Sequence, residues 1–201
     1  MRKVAVRFRR TIVKEQGLAF LVDVADDLFH GDVLEEKVFA VLMLQQIVGE
    51  FGPAEFKRFE SWLSRISTWA DHDGLVHYLI APMIAADRRR AGRVFRWAKS
   101  RNQWHRRAAC VALIQGTRQK MFWPEIQRLS DMLLQDENDM VQKGLGWLLR
   151  ETAKAYPQRT IPYLMKIRDC SPRLVLRTAC ETLPKGERER ILGRFRTAAA
   201  N

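Results

Sequence analysis

Apolar residues recur at intervals of three and four positions along nearly all of this chain, and the alternating pattern typical of strands is absent. This spacing places the apolar side chains on one face of each helix, so it predicts an all-α protein. Only 11 glycines and 7 prolines interrupt the 201 residues, which favours helices with short connections. We predict helices at about 7–15, 17–30, 33–50, 54–66, 71–86, 88–100, 103–117, 123–135, 138–155, 158–168, 172–182 and 186–196.

Glycine and proline indicate where several of these helices begin and end. In "FGPAEF" a stop at Gly52 is followed by a start at Pro53, and in "MFWPE" Pro124 lies at a helix entry. Pro82 follows "HYLIA" inside an apolar pattern. We therefore expect it to kink its helix or to end it early.

Pairs of predicted helices return at a regular interval. Their apolar centres at 39–46, 77–84, 107–114 and 143–150 lie about 30 to 38 residues apart. Such an interval favours stacked helix-pair repeats of the HEAT or armadillo kind, in which one helix of each pair lines a concave surface. A single irregular helical bundle is the alternative.

The charge of the chain is large and unevenly distributed. The net charge is +12, yet residues 1–80 hold 10 Lys and Arg against 12 Asp and Glu, whereas residues 81–201 hold 25 against 11. The segment 88–107 carries nine Lys or Arg and two Trp, with Arg89, Arg93 and Arg96 at helical spacing. Such a segment is often a solvated face. Its lack of acids and its tryptophans favour phosphate contact, with nucleic acid ahead of an anionic membrane as the partner.

Several classes of protein are disfavoured by missing motifs. The chain has no Gly-rich phosphate loop, no G-x-S-x-G and no H-E-x-x-H. Its four histidines and three cysteines do not fall at metal-ligand spacing, so we expect neither a metal nor an organic cofactor. No cationic-then-apolar leader and no apolar run near 18 residues are present. We expect a reduced, soluble, cytoplasmic protein without membrane contact.

Four residues form a candidate site. Trp69, Arg107 and Trp147 are separated by 38 and 40 residues, about one repeat each, and Asp73 lies one helical turn beyond Trp69. On successive repeats these side chains can converge in one groove. Each also has a structural interpretation: a tryptophan packs in a core, an aspartate caps a helix start, and an arginine bridges to an acid on a neighbouring helix.

Three segments carry motifs around these residues. The first, "TWADHD", has the pattern W-x-x-x-D, and "NQWHRRAACVAL" has the pattern W-x-x-R-x-A with Trp104 and Arg107. The third, "VQKGLGWLLRETAKAYP", has the pattern Q-K-x-x-G-W-x-L-R-E through Gln142, Lys143, Gly146, Trp147, Arg150 and Glu151. In these motifs the chain resembles the bacterial DNA alkylation-repair glycosylases of HEAT-like repeat fold, the AlkD-type family.

The resemblance implies a single domain over residues 1–201, a right-handed array of antiparallel HEAT-like helix pairs with a basic concave groove. It implies a monomeric glycosylase that removes N3-methyladenine and N7-methylguanine from duplex DNA, with no closed pocket for the base. Asp73 would stabilise the developing sugar cation, while Trp69 and Trp147 would contact the sugar and the cationic base. Phosphates would be held by Arg107, Arg106, Arg150, Lys143 and Arg10.

The chain also departs from the family. The family usually begins with an extra helix pair of about 35 residues, and the start of this chain, "VAVRFRRTIVKEQ", only loosely resembles its G-V-x-x-P-x-x-R entry. His72 inside the first motif is unusual. Two other functions stay open: a non-catalytic module that binds DNA or RNA in the same groove, and a protein-binding scaffold whose basic face meets an acidic partner.

Overall fold

Residues 1–193 are described by this computed structural model, and every regular element within them is a helix. A π-helical turn, Val76–Ile80, joins α4 to α5, and 3-10 helices span Gln45–Glu50, Leu63–Arg65 and Arg88–Gly92. The α-helices are α1 (Arg2–His30), α2 (Leu34–Leu44), α3 (Pro53–Trp62), α4 (Trp69–Leu75), α5 (Ala81–Ala86), α6 (Arg93–Trp97), α7 (Gln103–Val111), α8 (Ile114–Arg118), α9 (Trp123–Leu133), α10 (Asp139–Ala155), α11 (Pro157–Ile167), α12 (Arg173–Ala179) and α13 (Lys185–Leu192).

The order of these helices follows the predicted one, with differences at their ends and with the predicted helix 103–117 divided into α7 and α8. The predicted helices 7–15 and 17–30 belong to α1, which is broken at Gly17. Gly17 has φ 86° and ψ 174°, a conformation that only glycine adopts readily, so the chain changes direction there. The predicted helix 33–50 ends as an α-helix at Leu44 and continues as the 3-10 helix. The final part of the predicted helix 186–196 lies outside the described residues.

The predicted effect of Pro82 takes the form of a wide turn. Pro82 has no amide hydrogen to donate to the carbonyl of Tyr78, and its ring crowds that carbonyl. Just before it, the amide of Ala81 bonds to the carbonyl of Val76, the five-residue step of a π-helix. The helix therefore passes through the π turn and continues as α5, instead of ending early.

The interior is a continuous apolar layer between the paired helices. In the first repeats it is built on large aromatic side chains, with Phe29 stacked on Trp62 at 4.4 Å between ring centroids. Further along, α10 packs against both α7 and α12. A Cβ added at Gly146 of α10 would lie 2.6 Å from Thr178 Cβ of α12, so glycine allows this close approach. Together α4, α7 and α10 supply the residues of the candidate site.

Two of the three cysteines belong to the interior. Burial raises the pKa of the Cys110 thiol to about 12 and that of the Cys180 thiol to about 11, so both stay protonated. Cys170 is exposed, and all three are free thiols. Among residues 1–193, no helix is both long and apolar enough to cross a membrane.

Candidate active site

The first turn of α4 is fixed by a capping box. Thr68 Oγ1 accepts from the amide of Ala70 at 3.2 Å. Asp71 accepts in turn from the amides of Ser67 and Thr68, at 2.9 and 2.8 Å. Burial alone would raise the pKa of Asp71, but these hydrogen bonds outweigh it and lower the pKa. Asp71, and not Asp73, is therefore the acid that caps α4. Its carboxylate is buried and lies 3.6 Å from Lys37 Nζ.

Trp69 begins α4 and is not a core residue. Its side chain is 61% exposed, the largest exposed fraction among the large apolar residues of the described chain. Trp147, from α10, is partly buried and stacks on His77 at 5.6 Å between ring centroids. Most of the Trp69 indole lies outside the apolar interior, so its placement favours contact with something outside the protein.

Trp69, Asp73 and Trp147 meet in one cleft of about 360 Å³. Since Trp69 and Tyr78 remain exposed at its edge, the cleft is open to solvent and does not enclose a ligand. Its volume is sufficient for a nucleobase and part of a sugar. The residues that line it are Arg2, Val38, Val41, Leu42, Gln45, Trp69, Ala70, Asp71, Asp73, Gly74, His77, Tyr78 and Trp147.

The carboxylate of Asp73 is held by two side chains. Arg107 donates from Nε to Oδ1 at 3.0 Å and from Nη2 to Oδ2 at 2.8 Å. His72 Nδ1 lies 2.7 Å from Oδ1. Burial would raise the pKa of Asp73, but the bonds from His72 and Arg107 outweigh it and lower the pKa. Asp73 is therefore an ionised carboxylate in the cleft, with 23% of its side chain exposed.

Arg107 is placed differently from the sequence expectation. It is buried, and its Nη1 donates to the carbonyl of Met140 at 2.8 Å in addition to the two bonds to Asp73. Gly144 makes room for it, because a Cβ there would lie 3.1 Å from Arg107 Cγ. The structure gives Arg107 partners within the protein where we expected a phosphate, and its bonds hold the Asp73 carboxylate in place.

His72, which sequence analysis leaves unexplained, also contacts Asp73. Its ring is buried, with Nδ1 facing Asp73 and Nε2 lying 3.1 Å from the carbonyl oxygen of Trp104. Burial lowers the pKa of His72, and its bond to Asp73 only partly offsets this effect. A neutral ring has one N–H, and its donation from Nδ1 to the charged Asp73 leaves Nε2 packed against the carbonyl without a hydrogen bond.

The other predicted phosphate contacts fall into two groups. Arg106 is paired with Asp136, with Nε at 2.6 Å from Oδ2, and Arg150 is paired with Glu151 and Glu181. Lys143 is exposed and lies 4.0 Å from Asp139, at the limit of an ion pair. Arg10 is exposed on α1. Lys143 and Arg10 can therefore reach a phosphate directly, whereas Arg106 and Arg150 would first have to leave an acidic partner.

The basic segment 88–107 is also largely engaged within the protein. Arg93, Arg96 and Trp97 Nε1 all bond to Glu60 of α3. Arg89 pairs with Asp87, two residues before it in the sequence. All three arginines of the predicted phosphate-binding stripe, Arg89, Arg93 and Arg96, are therefore paired with an acid.

The cleft residues that were not identified from the sequence include Arg2, His77 and Tyr78. His77 lies four residues after Asp73 and eight after Trp69, a spacing that could have identified it. Arg2 comes from the chain terminus and has no such signal. No group of three His, Cys, Asp or Glu side chains within residues 1–193 is arranged to hold a metal ion.

The fold and the cleft define a class of protein: an all-helical HEAT-like array in which a carboxylate and two indoles from different repeats face one opening. The family model described as "DNA alkylation repair enzyme" matches residues 1–183, and the chain belongs to that family. A predicted DNA alkylation repair enzyme from Enterococcus faecalis is similar in structure, with a TM-score of 0.76 at 21% identity over 90% of this chain and 85% of that one. A comparison with curated proteins gives no match. The predicted all-α HEAT-like fold and family resemblance are confirmed.

Proposed function

We propose that this protein excises cationic alkylated purines, N3-methyladenine and N7-methylguanine, from duplex DNA by hydrolysing the N-glycosidic bond. The observation that carries the proposal is the placement of the ionised Asp73 carboxylate beside Trp69 and Trp147 in one open cleft.

Positive charge is what this cleft can recognise. An alkylated purine already carries that charge and leaves as a neutral base, so its departure needs no general acid. The sugar becomes positive as the bond lengthens, and a fixed carboxylate stabilises that charge. The exposed face of Trp69 would add cation–π attraction, up to about 2 kcal/mol when desolvated. No closed pocket is required, which agrees with the open edge of the cleft.

DNA would be bound by the exposed cations around the cleft. Arg2 lies on the cleft itself, and Lys143 projects from α10, the helix that carries Trp147. Such contacts position the duplex without reading its sequence. Arg106 and Arg150 would contribute only by exchanging an acidic partner for a phosphate.

The alternative function is a non-catalytic module that binds DNA or RNA in the same groove. The observation that favours it is the bidentate bond from Arg107, which offsets the charge of Asp73 within the protein. The two functions differ in what Asp73 is needed for: a catalyst requires its charge, whereas a binding module does not.

Base release from duplex DNA containing N7-methylguanine tests the proposal. Asp73→Asn keeps the shape of the side chain and removes its charge. We expect its release rate to fall at least about tenfold, which corresponds to about 1.4 kcal/mol of lost transition-state stabilisation.

Asp169→Asn is the matched control, because Asp169 is exposed and does not line the cleft. It should release base at the wild-type rate. If neither the wild-type protein nor Asp73→Asn releases base while duplex binding is retained, the alternative function is the correct one.

A further inference from the structure

His77 is a titratable side chain of the cleft to which no function has yet been given. Its ring lines the opening together with Trp69, Asp73 and Trp147. Its Nδ1 is enclosed and has no hydrogen-bond partner among residues 1–193. An enclosed nitrogen cannot meet a water in the cleft, so Nε2 is the ring nitrogen left to accept a proton there.

The backbone holds this ring at the cleft in an unusual way. His77 lies in the π turn Val76–Ile80, one turn beyond Asp73, and such turns often occur at functional sites. The ring is stacked on Trp147 with 28° between the planes, and Tyr78 meets it edge-on at 5.1 Å. Contacts on two sides fix its orientation next to the space that a sugar would occupy.

Hydrolysis also releases a proton from the attacking water, and Asp73 is poorly suited to accept it. Its two oxygens already accept three hydrogen bonds, from Arg107 and His72. Its lowered pKa makes it a weak base. His72 is fully buried, so it does not reach the cleft.

We propose that His77 is the general base that accepts a proton from the water attacking C1′ of the alkylated nucleotide. This inference rests on the proposed glycosylase function. The C1′–N bond breaks and its electron pair neutralises the leaving base, the water oxygen bonds to C1′, and one water proton passes to His77 and then to solvent. Asp73 supplies charge in this scheme, and His77 accepts the proton.

The surroundings of His77 keep it neutral, as this function requires. Burial lowers its pKa, and Arg118 of α8 lowers it further, while Asp73 and Glu151 act in the opposite direction. A neutral imidazole can accept a proton and does not repel a cationic base. Among the other charged groups on elements packed against this turn, Lys37 is paired with Asp71, Arg107 with Asp73 and Glu60 with Arg93. These elements also carry Glu35, Glu36, Glu50 and Lys57.

Two substitutions at His77 test the inference. His77→Phe keeps an aromatic ring against Trp147, and His77→Gln keeps a polar group that does not titrate. We expect either to lower the rate of N7-methylguanine release at neutral pH by about 10²-fold, the usual contribution of a general base.

The pH profile distinguishes a base from a packing residue. For the wild-type protein, the rate corrected for spontaneous base loss should fall as the pH drops through the lowered pKa of His77, below its ordinary value of 6.5. Both variants should lack this decline, because they have no proton to gain. A packing function would lower the rate without removing the decline.

His105→Phe is the matched control. His105 is another half-buried histidine with an unpartnered Nδ1, but it lies in a different cleft, beside Arg96 and Trp97. It should keep both the wild-type rate and the decline. If His77→Gln also keeps both, His77 is not the base and the proposed function stands. If the wild-type protein releases no base, both proposals are overturned.

Discussion

Two carboxylates two residues apart do different work at the start of α4. Asp71 is sealed in the capping box and bonded by backbone amides, whereas Asp73 turns to the cleft and is held by side chains from α4 and α7. The position of each residue on the helix determines which groups its carboxylate meets. The residue in the first turn meets the free amides, and the residue two positions on points roughly 200° away around the axis.

Gly144 shows how a residue without a side chain supports the site, and its replacement is a test of that support. A Cβ there would lie 3.1 Å from Arg107 Cγ, so Gly144→Ala should strain the arginine that holds Asp73. We expect this strain to cancel the gain of about 1 kcal/mol that alanine normally brings to a helix. Urea denaturation measures the free energy of unfolding.

Gly186→Ala is the control, since nothing lies within 4 Å of a Cβ added at Gly186 in α13. It should raise the free energy of unfolding by about 0.5 kcal/mol or more. If Gly144→Ala stabilises the protein as much as this control and retains base release, Arg107 yields without strain and the support that we assign to Gly144 is wrong.

Sequence could predict part of this site but not its internal pairing. The spacing of Trp69 and Asp73 places them on one face because helical geometry is local. The pair between Asp73 and Arg107 spans 34 residues, and nothing in either segment shows whether that arginine faces solvent or an acid. The same limit applies to Arg106, whose partner Asp136 is 30 residues away.

At the level of the helices, the π turn before Pro82 connects an irregularity of the backbone with the residues of the cleft. Periodicity predicts one helix over 71–86, and proline predicts an interruption in it. Neither pattern predicts that the chain absorbs the interruption by widening one turn, because this depends on how α4 and α5 pack against their neighbours. The π turn contains His77 and Tyr78, so this local irregularity of the backbone determines where two of the cleft residues lie.

Pro82→Ala tests this connection. Alanine restores the missing amide, which should let residues 76–82 return to an ordinary α-helix and raise the free energy of unfolding by up to about 3 kcal/mol. The same change would shift His77 and Tyr78, which the π turn places in the cleft, so base release should fall. Thermal unfolding and base release are measured on the same preparation.

Pro53→Ala is a suitable comparison, because Pro53 occupies the first position of α3, where a proline costs little. It should change neither stability nor base release by much. A Pro82→Ala protein that becomes more stable with its base release unchanged would show that the π turn is not needed for the site.

Helix order was predictable along the whole described chain for a simple reason. Each helix has a buried face of its own, so periodicity within about 12 residues is enough to find it. The break at Gly17 falls at the boundary between the predicted helices 7–15 and 17–30, whereas the 3-10 continuation of α2 depends on packing between helices and differs from the prediction for that reason. The single domain over residues 1–201 stays a prediction.

For the molecule as a whole, the count of 35 Lys and Arg overstates what is available to a polyanion. It includes Arg93, Arg96 and Arg106, each paired with an acid elsewhere in the chain. Side chains of this kind add little to the long-range field, because the acid cancels their charge. They release few counterions unless their pairs break.

The salt dependence of duplex binding tests this distinction. Lys143, with 46% of its side chain exposed, should contact a phosphate directly. Lys143→Gln should therefore reduce the slope of log K against log salt by about 0.9. Binding to an undamaged duplex, measured over a range of salt concentrations, gives the slope.

Arg106→Gln is the contrasting variant. Loss of its bonds to Asp136 should lower the free energy of unfolding by about 1–3 kcal/mol and leave the salt slope unchanged. A reduced slope for Arg106→Gln would mean that its pair opens when DNA binds, so that Arg106 has the direct phosphate contact predicted from the sequence.

The uneven burial of the three cysteines gives the molecule a built-in site for chemical labelling. Two thiols are buried, with pKa values of about 12 and 11, and a thiol reagent needs an accessible thiolate. Cys170 alone is exposed, and it lies outside the cleft. A dye or spin label can therefore be attached to the natural sequence at one position, and the chain can be observed with its cleft unmodified.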